Sequence, residues 1–254
     1  MKVQLLRNAT LVLDINGKKL LVDPMLAPKG SFPAIVNTAN TLKNPLVDLP
    51  LSDDELKVLI AETDAVLLTH LHRDHWDETA QQMLPKHIAI LCQPENVEVI
   101  KQAGFVNLSS IFDELTWNGI SINRTGGRHG TGEIGKLMGT VSGYVIAFGR
   151  NKLYIAGDTI WCEEVETAIS KYKPTHIIVN GGAARFLTGD AIVMNIQDII
   201  RVAHSAPDAK IYVVHLEAVN HSSESRADIR EAMQANNLAE RVIVPNDGDR
   251  LSLL

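Results

Sequence analysis

Ala65-Val-Leu-Leu68 is an unbroken apolar run that leads through Thr69 directly into His70-Leu-His-Arg-Asp-His75. Such a run predicts a buried strand over 65–69. Four side chains able to ligate a metal, His70, His72, Asp74 and His75, then fall within six positions. This juxtaposition narrows the folds open to the chain. Where sheets contain parallel strands, the crevices that take ligands lie outside the strands' carboxyl ends, and a loop leaving such an end can aim several side chains inward. A solvated turn holding histidines by accident would not gather four ligand-type residues behind a buried strand.

Imidazole mixed with carboxylate suits zinc, iron, manganese or copper, whereas a soft thiolate site would recruit cysteine. The chain has only Cys92 and Cys162, far apart and away from the cluster. Further ligand candidates stand at other predicted strand ends. His129 lies in the glycine-rich segment 126–132, Asp158 follows strand 153–155, and His215 closes strand 211–214.

The order of predicted elements supports a mixed α/β fold. Asn16-Gly17 between apolar runs signals a hairpin. A proline-containing passage over 24–50 shows no period, and a loop of that length is expected to border a site. Ser52 and Glu55 fit a capping box that opens a helix to about residue 61. Helices over 77–84 and 94–104 flank a strand over 87–92, and short strands with glycine turns, read as antiparallel, occupy 107–155. Helices over 162–171, 196–204 and 224–235 then alternate with strands over 176–180, 211–215 and 241–244. Gly17-Lys-Lys-Leu-Leu-Val-Asp23 is similar to the segment from Gly149 to Asp158, each a hairpin ending in aspartate. With 254 residues and no linker, the chain is expected to form one domain over 1–254 built from two similar halves.

A net charge of −6 without a basic face argues against a sequence-independent nucleic-acid partner. No stretch approaches the roughly 18 apolar residues that span a bilayer, so neither a membrane partner nor a membrane location is expected. Few cysteines and no leader-like start predict a cytoplasmic protein. A small-molecule substrate is the expected partner, and a homo-oligomer stays open.

Thr69-His70-x-His72-x-Asp74-His75, His129, Gly157-Asp158-Thr159 and His215 together resemble the metallo-beta-lactamase superfamily over nearly the whole chain. Leu20-Leu-Val-Asp-Pro24 and Asn180-Gly-Gly resemble its ascorbate-6-phosphate lactonase-like branch. The resemblance implies a four-layer αββα sandwich of two facing mixed sheets. It also implies two divalent metals, zinc first, with manganese or iron as alternatives. His70, His72 and His129 would hold one, Asp74, His75 and His215 the other, and Asp158 both. Asn8 stands where relatives carry histidine. Asp23 is expected to orient a ligating histidine.

The implied activity is metal-dependent hydrolysis, by a metal-bound hydroxide, of a small polar ester, lactone or phosphodiester. Asp74 is the candidate proton relay, and His221 a candidate general acid with Glu217 as its orienter. Arg128, Arg185 and Asn180 are candidate substrate residues, the arginines because guanidinium matches an anionic carboxylate or phosphate. The rivals are an iron-dependent oxidoreductase of the same fold and a metal- or ligand-binding protein without turnover. The diiron reading is weakened by His72, which stands where such relatives carry glutamate.

Overall fold

The structure, a computed structural model, describes residues 1–253. β1 (Lys2–Arg7), β2 (Thr10–Ile15) and β3 (Lys18–Val22) form an antiparallel meander. Asn16 and Gly17 turn the second hairpin with φ of 56° and 70°, the left-handed pair that a two-residue hairpin requires. The passage over 24–50 is irregular and leads into α1 (Asp53–Glu62), where Ser52 and Glu55 form the expected capping box. β4 (Ala65–Leu68), α2 (Glu78–Met83), β5 (Ala89–Cys92), α3 (Val97–Gln102) and β6 (Asn107–Ser110) follow. β3 to β6 pair in parallel.

β7 (Glu114–Trp117), β8 (Ile120–Thr125), α4 (Gly132–Met138), β9 (Gly143–Phe148) and β10 (Asn151–Ile155) come next, and their strands pair antiparallel. α5 (Glu163–Tyr172), β11 (His176–Asn180), α6 (Ile196–Ser205), β12 (Lys210–Val214), α7 (Arg226–Ala235) and β13 (Val242–Ile243) complete that sheet, with β10 to β13 parallel. β14 (Arg250–Leu251) returns to pair with β1.

The sheet orders are β14-β1-β2-β3-β4-β5-β6 and β13-β12-β11-β10-β9-β8-β7. The β2–β3 and β9–β10 hairpins, which carry the similar sequences, thus hold matching places, each opening a parallel run. Period-two alternation explains the layering. Ala65 and Leu67 of β4 face the second sheet, packing in one cluster with Ile178, Tyr212 and Val214. Val66 and Leu68 turn the other way, against Leu56 and Ile60 of α1 and Ile100 of α3. Ile177 and Val179 of β11 face Val165 of α5, Val202 of α6 and Ile229 of α7. The result is an αββα sandwich. All four β4 side chains are inaccessible to solvent, each leucine contributing about 1.5–3 kcal/mol by burial.

Three elements depart from the sequence expectation. The strand over 107–110 pairs parallel with β5 in the first sheet instead of joining the antiparallel region. α4 forms across glycines 132 and 135, which a propensity argument counts against a helix. β14 is two residues long, too short to show periodicity. Among the described residues, no helix is long and apolar enough to cross a membrane.

Candidate metal centre

Thr69 to His75 leave the carboxyl end of β4, and Asp23 lies just past that of β3. Across the interface, Asp158 follows β10, Asn180 ends β11 and His215 follows β12. Both sheets therefore deliver polar side chains to one shared edge. Two groups of donor atoms converge there: His70, His72 and His129, and Asp74, His75, Asp158 and His215, with the atoms of each group within 4.8 Å of one another. Asp158 Oδ2 lies between the groups, 3.2 Å from His75 Nε2, 3.5 Å from His129 Nε2, 3.7 Å from His215 Nε2 and 3.9 Å from His70 Nε2. Gly157, at φ 71°, permits that approach, because a Cβ there would sit 2.7 Å from the Ser142 carbonyl oxygen.

Surrounding groups fix the rings. Asp23 accepts from the Thr69 backbone N–H at 2.8 Å and the Thr69 hydroxyl at 2.6 Å, and lies 2.9 Å from His75 Nδ1. The Nδ1 proton of His75 therefore goes to Asp23, which turns Nε2 toward the centre. Likewise His129 Nδ1 is 2.7 Å from the Ile192 carbonyl oxygen. Asn180 Nδ2 donates to Asp158 Oδ1 at 2.6 Å. Asn8 donates to the Asp74 carbonyl oxygen at 3.1 Å and to Asp74 Oδ2 at 3.3 Å, while its own carbonyl accepts from the His215 N–H at 2.9 Å. Asn8 thereby ties together loops that come from opposite sheets.

The electrostatics divide the histidines. Burial and the neighbouring His75 push His70 well below the usual histidine range, and burial also lowers His72 and His129. Burial opposes charge on His75 and His215 as well, yet the Asp158 and Asp74 carboxylates outweigh it and raise both. In turn, His75 and His215 hold Asp74 and Asp158 well below the carboxylate range, against the burial that would raise them. His75 Nε2 is buried without a hydrogen-bond partner, although carboxylate oxygens stand 3.2 and 3.6 Å away.

Above these groups opens a cavity of about 390 Å³, walled by apolar side chains that include Phe32, Ile35, Val36, Met138, Phe186 and Ile192. His72, Asp74, His129 and Asp158 line its floor. A larger cleft of about 550 Å³ at the β1–β14 edge contains none of the clustered histidines. The irregular passage over 24–50 does border the site, through residues 32–36.

Several candidates lie elsewhere. Arg128 is exposed and pairs with Glu164 at 3.0 Å, outside the cavity, and exposed Arg185 also stands outside it. Asn180 is buried and directed at Asp158, so it does not face the cavity. Glu217 cannot orient His221, because its carboxylate is bonded to the backbone N–H and guanidinium of Arg226 at 2.9 and 2.6 Å. His221 does line the cavity, with Nδ1 unpartnered, and burial pushes its pKa down to about 4. Burial thus favours the neutral ring over the protonated form that the general acid expected from sequence would give up. The apolar wall and the residues that brace it carry no signal in their own stretch of sequence beyond the length of the passage.

A family model described as the beta-lactamase superfamily domain matches residues 19–216. The chain is 40% identical over 253 residues, 98% of each chain, to the UPF0173 protein YddR of Bacillus subtilis strain 168. Among solved structures, a possible metal-dependent hydrolase from Veillonella parvula DSM 2008 is 38% identical with a TM-score of 0.95, over 100% of this chain and 99% of that one. An isothiocyanate hydrolase from Delia radicum gut bacteria is 36% identical with a TM-score of 0.94, also over 100% and 99%.

Proposed function

The chain belongs to the beta-lactamase superfamily and to the UPF0173 family, and from that premise we propose that it is a metal-dependent hydrolase of small, uncharged electrophiles carrying an apolar group. The observation that carries this reading is the meeting of two donor groups at Asp158 on the floor of an apolar cavity. Metal ions fit these residues. Burial leaves His75 Nε2 orphaned and aimed at carboxylates, and a set of imidazoles with two aspartates suits zinc, manganese or iron. His70, His72 and His129 would hold one ion and Asp74, His75 and His215 a second, with Asp158 shared between them.

When bound, such ions lower the pKa of water and polarise the oxygen or sulfur of the electrophile. The chain's own groups supply the rest. Asp74 Oδ2, kept deprotonated by its histidine neighbours, accepts the proton lost by the attacking water. His221, which lines the cavity and is held neutral by burial, offers the substrate a hydrogen bond from its ring rather than a formal charge. The apolar wall excludes water and receives the hydrocarbon part.

The cavity disfavours phosphodiesters. Arg73 is the one cationic side chain among those described that lines it, and Arg73 pairs with Glu78 at 2.6 Å and stacks over Phe32. Isothiocyanates, esters and lactones all present an uncharged carbon electrophile, and the similar isothiocyanate hydrolase makes the first the substrate to try. The reaction would be R–N=C=S + H2O → R–NH2 + COS. The test loads the purified protein with zinc, manganese or iron and follows amine release from phenethyl isothiocyanate beside lactone, ester and phosphodiester substrates. Metal-dependent turnover of an uncharged substrate that is lost in H70A supports the reading; turnover of phosphodiesters alone overturns it.

A further inference from the structure

One side of the cavity's apolar wall, Phe32, Ile35 and Val36, belongs to a segment with almost no core of its own. Residues 31–43 contain no buried side chain, and Val36, which lines the cavity, is 74% exposed. Hydrophobic packing therefore does little to fix it. Polar anchors hold the segment instead. At its roots, Arg7 Nη2 donates to the carbonyls of Met25 and Ala27 at 2.6 and 2.9 Å, and Nη1 to that of Val47 at 2.9 Å. Phe32 and Asn44 exchange two backbone hydrogen bonds of 2.9 Å, which makes the segment a ribbon with its tip over 33–43.

One side chain outside the ribbon binds its tip. Asn220, 2% exposed, accepts at Oδ1 from the Ile35 N–H at 2.9 Å and from Asn44 Nδ2 at 2.8 Å. Its two Nδ2 hydrogens face Thr38 Oγ1 at 2.7 Å and the carbonyls of Asn40 and Ile35 at 3.0 and 3.1 Å. Its backbone N–H donates to Asn44 Oδ1 at 2.9 Å, and its carbonyl accepts from Asn40 Nδ2 at 2.9 Å. A single residue thus satisfies both sides of the ribbon. The next residue is His221, inside the cavity.

We propose that Asn220 is a positioning residue that fixes the apolar wall over the metal centre and thereby sets how long a hydrocarbon group the site accepts. The inference rests on reading this cavity as the place where substrate binds. An amide suits the task, because only a side chain with both a donor and an acceptor end can bind the N–H and C=O of an unpaired ribbon at once. Aspartate keeps the shape and the acceptor end but loses both donors.

The test uses the zinc-loaded full-length protein and alkyl hydroxamates from acetohydroxamate to octanohydroxamate, with hydrogen exchange over 31–44. Hydroxamates bind a metal centre whether or not the protein hydrolyses an isothiocyanate, so failure of the proposed activity leaves this test standing. In the unaltered protein, each added methylene should tighten Kd about fourfold until the cavity is filled. In N220A the gain should fall below about twofold per methylene, with acetohydroxamate affinity held within about twofold and exchange at Ile35 and Asn44 about tenfold faster. N220D should fall between the two, and it decides by the same criteria if N220A does not fold. An unchanged ladder in the variants, equal weakening for every chain length, or no ladder in the unaltered protein overturns the proposal.

Discussion

Asp23→Asn replaces one atom and should nevertheless cost the site much of its metal. The Asp23 carboxylate receives the Thr69 N–H at 2.8 Å and the Thr69 hydroxyl at 2.6 Å, and Oδ2 is 2.9 Å from His75 Nδ1. An asparagine amide can keep the first contact through Oδ1, but its NH2 group must then face His75 Nδ1. Two donors cannot share that contact, so the imidazole has to move its proton to Nε2. That atom is the one turned to the centre, and once protonated it has no lone pair for a metal. Loss of an orienting carboxylate of this kind costs about 10–100-fold in metal affinity, or about 1.4–2.7 kcal/mol. This agrees with the roughly 1.5–3 kcal/mol of a buried hydrogen bond to a charged group. Zinc competition against a chromogenic chelator gives the Kd, and near-ultraviolet circular dichroism shows whether the variant is folded. A folded D23N with unaltered zinc affinity would refute the tautomer argument.

Three further outcomes follow from the same geometry. Stability of the chelated, metal-free protein should peak near pH ~6.5, the unperturbed histidine value. Below it, the lowered His70, His72 and His129 lose stability as protons are forced on them. Above it, the raised His75 and His215 lose the stability of their charged pairs as pH climbs through their folded values. Urea midpoints from pH 5 to 9 read this, and a midpoint that keeps rising to pH 9 would contradict it. His221→Ala should retain its metal while lowering kcat/KM by about 10–100-fold, the worth of one hydrogen bond to developing charge; wild-type kinetics would remove His221 from the reaction. Arg128→Ala should change kcat/KM less than about twofold and leave the urea midpoint unchanged, because its ion pair with Glu164 is exposed. A large loss of activity would return Arg128 to the site.

The parts of the site that were legible in sequence are those written as local grammar. An apolar run followed by ligand-type residues located the loop after β4, and strand ends pointed to Asp158 and His215, which follow strands of the other sheet. Backbone topology brings such residues together whatever their side-chain partners. Arg128, Asn180 and Glu217 were harder, because their roles depend on which neighbour reaches them first. Glu164 takes Arg128, Asp158 takes Asn180 and Arg226 takes Glu217, and each partner lies on a separate element or loop. Asn220 was illegible for another reason: its partners, the backbone of Ile35 and Asn40 and the side chains of Thr38, Asn40 and Asn44, lie about 180 residues away and share no local pattern with it. The capping box at Ser52 was visible because it closes within four residues, and the similar one at Ser225 and Asp228 follows the same local rule.

The position of Asp158 Oδ2 between donors from both sheets has a thermodynamic consequence. Neither sheet alone carries a complete donor group, since Asp74 and His75 come from one and Asp158 and His215 from the other. An ion bound there binds only the docked pair, so its free energy adds directly to the association of the two layers. At a free metal concentration a thousand times Kd, that linkage amounts to about 4 kcal/mol. The ion would then act as a rivet across the sandwich, and chelation should loosen the interface between the sheets before it melts either one.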